Sequence, residues 1–212
     1  MKQKIEIHKS QSLKPHPRDD ELGFGQIFTD HMFLMDYQAG KGWVNPRIEP
    51  YGHFSLDPST MVLHYGQAIF EGLKAFRSQR NEIIIFRPKQ YFSRMNRSAE
   101  RLCIPPVDEA FVLEALITFL KLESSWVPKN QGTSLYIRPF IIATDPFLGV
   151  RPSNTYLFSI ILSPVGAYYP EGFNPVKIMV AADYVRAVKG GLGEVKTPAN
   201  YAASLYAAEV AK

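Results

Sequence analysis

The sequence predicts a mixed α/β (α+β) fold, on three observations: short apolar runs of strand-like composition, two segments with apolar residues at helical spacing, and turn residues punctuating both. The runs Leu73–Phe76, Glu82–Phe86, Ser134–Ala143, Tyr156–Pro164 and Lys177–Ala182 are rich in Ile, Val, Phe and Tyr, whose branched or flat side chains suit a pleated surface. Between them lie two expected helices. Pro88 suits an opening turn, where its missing N–H is not needed, and Tyr91, Phe92, Met95, Ala99 and Leu102 then recur on one side. The second opens at Asp108, an N-cap residue, and carries Phe111, Val112, Ala115, Leu116, Phe119 and Leu120 before Trp126-Val-Pro ends it.

Residues 1–21, with Pro15, Pro17 and several charges, read as a flexible leader, so that structure begins near Leu22. A small N-terminal domain is expected over 22–164. The stretch Pro164 to Pro175 holds three prolines and two glycines and is the interdomain loop, taken as 165–176. Residues 177–212 then read as a strand, a Gly-rich loop and an Ala-rich helix, the start of a larger domain.

With 46% hydrophobic residues in 212, the chain can bury a sizeable core and is expected to be globular. Its 24 Lys+Arg against 20 Asp+Glu are scattered, so the small positive charge marks no nucleic-acid surface. The first twenty residues lack an apolar signal-peptide core, and no run reaches the length of a membrane span. A cytoplasmic protein with neither nucleic acid nor membrane as partner is expected. The lone cysteine, Cys103, cannot build a disulfide framework and reads as a small buried hydrophobe.

Four segments can carry chemistry. In Lys189-Gly-Gly-Leu-Gly-Glu-Val-Lys196-Thr-Pro, glycines permit a tight turn, and Lys196 stands just before a helix start, whose amides favour an anion; the spacing is not that of a Walker loop. A lysine that attacks a carbonyl must also lose its proton, and taken alone Lys196 reads as an exposed lysine rather than a nucleophile. In His64-Tyr-Gly-Gln-Ala-Ile-Phe-Glu-Gly, glycines and aromatics surround Glu71, either as packing at a strand junction or as a ligand-lining turn. No second ligand stands at metal spacing from His64, so no metal site is expected. Tyr136 and Arg138 share one strand face, where the guanidinium needs an anion, either an internal carboxylate or a substrate's. Arg94, Arg97 and Arg101 share a helix side, either as a solvated basic face or with one of them holding a phosphate.

Taken in order and at their spacing, these motifs resemble branched-chain amino-acid aminotransferases: His64–Lys74, Arg94-Met-Asn-Arg-Ser-Ala99, Gly132–Pro139, Leu148-Gly-Val150, Ser163-Pro-Val-Gly-Ala-Tyr168 and Lys196 with Asn200–Ser204. The resemblance runs from about Phe24 to Lys212. It implies the fold-type IV architecture of pyridoxal-phosphate enzymes, here a small sheet-plus-helices domain followed by the truncated start of a larger, cofactor-binding one. It implies Lys196 as the Schiff-base lysine and proton shuttle, Arg94 as the phosphate arginine and Tyr201 as the tyrosine beside the cofactor. Phe24, Tyr65, Phe70, Tyr136, Arg138, Val150 and Tyr168 match substrate-pocket residues, with Tyr65 and Val150 reaching the partner's pocket in a homodimer. The implied activity is reversible transfer of the amino group of leucine, isoleucine or valine to 2-oxoglutarate, in amino-acid biosynthesis. The runner-up readings are a D-amino-acid aminotransferase or an aminodeoxychorismate lyase of the same fold, or an inactive fragment.

Overall fold

A computed structural model describes residues 3–166, 174–175 and 177–211. Its centre is the strand β7, Ser134–Ala143, whose residues alternate between fully and partly buried from Leu135 onward. That alternation separates two faces, as the two-residue period of a strand requires. Leu135, Ile137 and Ile141 face the main core, while Tyr136, Arg138 and Phe140 face the other side. β8, Thr155–Val165, runs antiparallel to β7 along its whole length, from Ser134 opposite Val165 to Ala143 opposite Tyr156.

The remaining strands are β1 (Glu6–Ile7), β2 (His31–Gln38), β3 (Gly42–Pro50), β4 (Ala68–Phe70), β5 (Leu73–Arg77) and β6 (Ile83–Ile85). The sheet order is β1-β3-β2-β8-β7-β5-β6, with β4 also paired to β7. β4 and β5 lie end to end along one edge of β7, opposite 140–142 and 135–137. The break between them is Glu71-Gly72, where the Glu71 amide donates to the Pro139 carbonyl at 2.8 Å. The register with β7 is the same on both sides of this break, so Glu71 lies on the face of Ile69 and Leu73, the one the helices cover.

Two long helices cover one face of the sheet. α2, Pro88–Arg101, buries Phe92, Met95 and Ala99, and α3, Glu109–Leu122, buries Val112, Ala115, Leu116, Phe119 and Leu120. These pack with Phe33, Phe158, Ile160 and Leu162 from the sheet in a single core. Asp108 caps α3 as expected, its carboxylate accepting from the Ala110 and Phe111 amides at 2.9 and 3.1 Å. α1, the short helix Met61–Tyr65, precedes β4. On the opposite face a smaller cluster of Met32, Leu34 and Leu157 lies under Tyr51 and Phe54.

Several expectations need correction. Residues 177–182 form no strand: Ile178 and Val180 are 83% and 91% exposed, and a strand gains its stability only from a neighbour that pairs with it. The single Ala-rich helix is two short ones, α4 (Pro198–Ala202) and α5 (Leu205–Val210), separated at Ala203-Ser204. The leader is held at several points: Glu6–Ile7 pair with β3, the Ser10 amide donates to His31 Nε2 at 2.8 Å, and the Lys14 amide donates to Asp30 at 2.8 Å. Cys103 is exposed, because the chain leaves α2 there in a left-handed turn with φ of 54°. Tyr168 and most of the expected interdomain loop lie outside the described residues.

Candidate functional site

The site is built on β4, on the N-terminal half of α2 and on the loop that leads to Lys196. The loop's Gly190 has φ of 76°, a left-handed conformation that a side chain would strain, and Asn200 at the start of α4 closes the loop. Its amide donates to the carbonyls of Leu192 and Val195 at 2.7 and 2.6 Å, from a nearly buried position. Lys196 itself is clamped by its backbone. Its amide donates to Ser98 Oγ at 3.1 Å, and its carbonyl accepts from the Phe70 amide at 3.0 Å. The next residue, Thr197, donates its hydroxyl to the Ala68 carbonyl at 2.8 Å.

The Lys196 side chain, held in this way, reaches over aromatic rings. Its Nζ stands 4.5 Å from the centre of the Phe70 ring and 4.9 Å from that of Tyr201, and it donates to the Tyr201 hydroxyl. Across a cleft of about 360 Å³ lies Arg94, with Arg186, Asn200, Tyr201 and Ser204 completing the lining. Arg94 is not a free cation. Its Nε and Nη2 donate to the two carboxylate oxygens of Glu71, each at 2.6 Å, in the two-pronged arrangement that suits guanidinium and carboxylate. Glu71 is fully buried and Arg94 half-exposed, and the hydrogen bonds to Glu71 hold the guanidinium's pKa above its already high ordinary value. Nη1 makes no hydrogen bond to Glu71.

The ring of Phe70 also carries a second cation. The Arg138 guanidinium lies 4.6 Å from the Phe70 ring centre, and its Nη2 donates to the Tyr136 hydroxyl at 2.9 Å. Among the described residues no carboxylate pairs with it, and its Nε is buried without a hydrogen-bond partner. Among the described residues, the internal ion pair that was one of the two expectations for Arg138 is not formed. The Phe24 ring meets Tyr136 edge-on at 5.2 Å. Gly72 is required beneath it, since a Cβ there would lie 2.1 Å from the Tyr136 hydroxyl oxygen.

Phe24, Phe70, Tyr136, Arg138, Lys196 and Tyr201 thus form a continuous set of contacts, and Arg94 lines the same cleft as Lys196 and Tyr201. Tyr65 and Val150 do not join it. Tyr65 ends α1 at 41% exposure, and Val150 stands 89% exposed on the loop after β7. Sequence reasoning missed Ser98 and Thr197, and it did not connect Glu71 to Arg94. Short polar residues beside an assigned lysine and arginine were the available signal. Among the described residues no group of three His, Cys, Asp or Glu side chains is placed to hold a metal, and no helix is long and apolar enough to cross a membrane.

A half-covered mixed sheet with a lysine, a tyrosine and an arginine around one cleft defines the N-terminal part of a fold-type IV aminotransferase. Solved structures with the same fold include a branched-chain aminotransferase from Thermoproteus uzoniensis (TM-score 0.67, 20% identity, 85% of this chain and 56% of that one). Another is the branched-chain amino acid aminotransferase from Thermobaculum terrenum (TM-score 0.62, 18% identity, 84% and 55%). No family model matches the chain. Curated sequences do: branched-chain-amino-acid aminotransferase 2 of Bacillus subtilis is 56% identical over 211 residues, all of this chain and 58% of that protein. A probable branched-chain-amino-acid aminotransferase of Staphylococcus epidermidis is 50% identical over 208 residues, 98% of this chain and again 58% of the relative. The chain belongs to the branched-chain aminotransferase family, and it spans somewhat over half the length of these curated relatives.

Proposed function

We propose that this chain forms the substrate-side and lysine-bearing part of a cytoplasmic branched-chain amino-acid aminotransferase, which exchanges amino groups between leucine, isoleucine or valine and 2-oxoglutarate with pyridoxal 5′-phosphate. The observation that carries this reading is the placement of the Lys196 amine between the Tyr201 hydroxyl and the Phe70 ring, with Arg94 across the same cleft.

The residues fit the cofactor. Arg94 keeps Nη1 for a phosphate while Glu71 fixes the rest of the fork, the Lys196 amine is within reach of the cleft, and Tyr201 supplies a hydroxyl and a ring beside it. A homologue from Thermobaculum terrenum is known in a PLP-bound form, which supports the same assignment. Bound there, the cofactor supplies an electron sink for the substrate's Cα–H bond. The chain supplies the rest. Lys196 Nζ takes and returns the α-proton, and Tyr201 Oη, hydrogen-bonded to that amine, holds it in place between transfers. Phe24, Phe70 and Tyr136 form an apolar wall that suits a branched aliphatic side chain and excludes water. Arg138, stacked on that wall without a carboxylate of its own, can meet the distal carboxylate of 2-oxoglutarate.

Tyr168 joins this pocket by resemblance alone. Tyr65 and Val150, exposed and away from the cleft, are assigned to the neighbouring site of a homodimer. The test is a panel of L- and D-amino acids with 2-oxoglutarate on the full-length protein, read as glutamate formed. Turnover confined to branched L-amino acids is expected. Turnover of D-alanine, or pyruvate release from aminodeoxychorismate, replaces this reading with a relative of the same fold.

A further inference from the structure

Arg94 and Ser98 stand four residues apart on α2, so they project from one face, separated by about 6 Å along the helix axis. Arg94 lines the cleft and Ser98 is buried one turn further along, while Phe92, Met95 and Ala99 on the adjoining side fix the helix in the core. Both residues make contacts that reach beyond the helix. Arg94 is locked to Glu71, and Ser98, 2% exposed, accepts the backbone amide of Lys196. The same lysine is held from the sheet side by Phe70, and its neighbour Thr197, 1% exposed, is held by Ala68.

We infer that Ser98 is a positioning residue for Lys196: its hydroxyl ties the Lys196 backbone to the rigid helix that carries Arg94, and so sets where the Lys196 amine stands relative to the Arg94 guanidinium. The inference rests on the proposed roles of Lys196 and Arg94. A lysine on a Gly-rich loop has no secondary structure to define its depth in the cleft. The Ser98 hydroxyl ties that loop to the helix bearing Arg94, whereas Phe70 and Ala68 tie it to β4, so two independent elements locate one residue. Losing the hydroxyl leaves the β4 contacts and the core intact, and Lys196 gains freedom only relative to Arg94.

The experiment compares the parent chain with Ser98→Ala and Ser98→Thr, using two readouts. Hydrogen exchange at the Lys196 amide is measured without cofactor, and it should quicken about tenfold in Ser98→Ala, the scale of one net hydrogen bond. Pyridoxal 5′-phosphate is then added and trapped on the protein with borohydride across a pH series. The trapping rate in Ser98→Ala should fall and its pH profile should move, with the melting temperature shifted by no more than a few degrees. Ser98→Thr, which keeps the hydroxyl, should restore exchange and trapping. If exchange and trapping in Ser98→Ala match the parent, the inference is overturned. If the parent fails to label at Lys196 while exchange responds as expected, the cofactor reading falls and the backbone clamp stands.

Discussion

The Lys196 amine lies 4.5 Å from the centre of the Phe70 ring, on which Arg138 also stacks at 4.6 Å, so one aromatic ring carries both cations. Lys189, by contrast, is exposed on the same loop, with no such neighbours to direct it at the cleft. Borohydride reduction with pyridoxal 5′-phosphate followed by peptide mapping is therefore expected to place the label on Lys196. Label on Lys189 would remove the basis of the site. In the full-length protein, Lys196→Ala should abolish transamination and leave part of the cofactor affinity, since the Arg94 contact does not depend on the covalent bond.

Glu71 and Arg94 give a second prediction. Arg94→Gln leaves a fully buried carboxylate without its two charge-assisted donors, and a loss of about 1–3 kcal/mol in unfolding free energy should follow. Cofactor affinity should fall as well, by on the order of 1.5–3 kcal/mol for a lost charge-assisted contact. Arg97→Gln should do neither, because Arg97 makes only a long contact to Ser93 at 3.4 Å on an exposed face. Urea unfolding and cofactor titration of the two variants decide it, and equal losses would mean that the helix face is merely basic.

How much of this was legible in the sequence depends on whether a feature was local. β7 and both long helices follow from strand periodicity, Pro88 and Asp108, all of which act within a few residues. β2 and β3 were not foreseen. Met32, Phe33, Leu34 and Met35 are all buried, so β2 shows no alternation, and β3 contains Pro46 beside Asn45 at φ 55°, where its register with β2 shifts. The lysine, the arginine and the aromatic set were readable because their motifs are sequential. The Ser98 and Glu71 contacts were not, since they join residues 98 and 23 positions apart and depend on how α2 packs against the sheet.

Gly72 and Tyr136 supply a third prediction. Gly72→Ala would place a Cβ 2.1 Å from the Tyr136 hydroxyl oxygen, so the ring must swing away and release its 2.9 Å bond from Arg138. Overpacking of this kind costs about 1–3 kcal/mol. Tyr136→Phe removes the clashing oxygen, and in that background Gly72→Ala should cost markedly less. A double-mutant cycle by denaturant unfolding measures the coupling, and strict additivity would show that the glycine is not there for Tyr136.

The buried pair of Glu123 and His31 carries a pH dependence. Burial pushes the Glu123 carboxyl above its ordinary value, opposed by hydrogen bonds from His31 and the Asp30 amide. A carboxyl raised in the folded state stabilises the fold below its unfolded value, and that contribution is lost as pH rises through the folded value. Glu123→Gln removes the titration and keeps one of the two acceptor oxygens that the His31 ring and the Asp30 amide use. The parent should therefore lose stability relative to Glu123→Gln as pH is raised from acid toward neutral, read as the difference in melting temperature. A difference that is flat with pH would show that His31 compensates the buried charge fully.

The last prediction concerns residues 177–190. Three of their apolar side chains, Ile178, Val180 and Val185, are 83%, 91% and 66% exposed, and in α5 Leu205 and Tyr206 are likewise exposed. A stretch without strand pairing or a covered apolar face opens locally at little cost, whereas α2 and α3 open only when the shared core does. Trypsin has candidate bonds in both regions: Lys177, Arg186 and Lys189 in the exposed stretch, and Arg97, Arg101 and Lys121 in the helices. The first cuts of the 212-residue chain should fall at 177, 186 or 189 and leave a resistant core ending near β8. The uncut chain should also sediment as larger species when concentrated, because an apolar surface of this kind favours association, and the trimmed core should not. First cuts within α2 or α3, or sedimentation unchanged by trimming, would show that residues 177–211 are as firmly packed as the sheet.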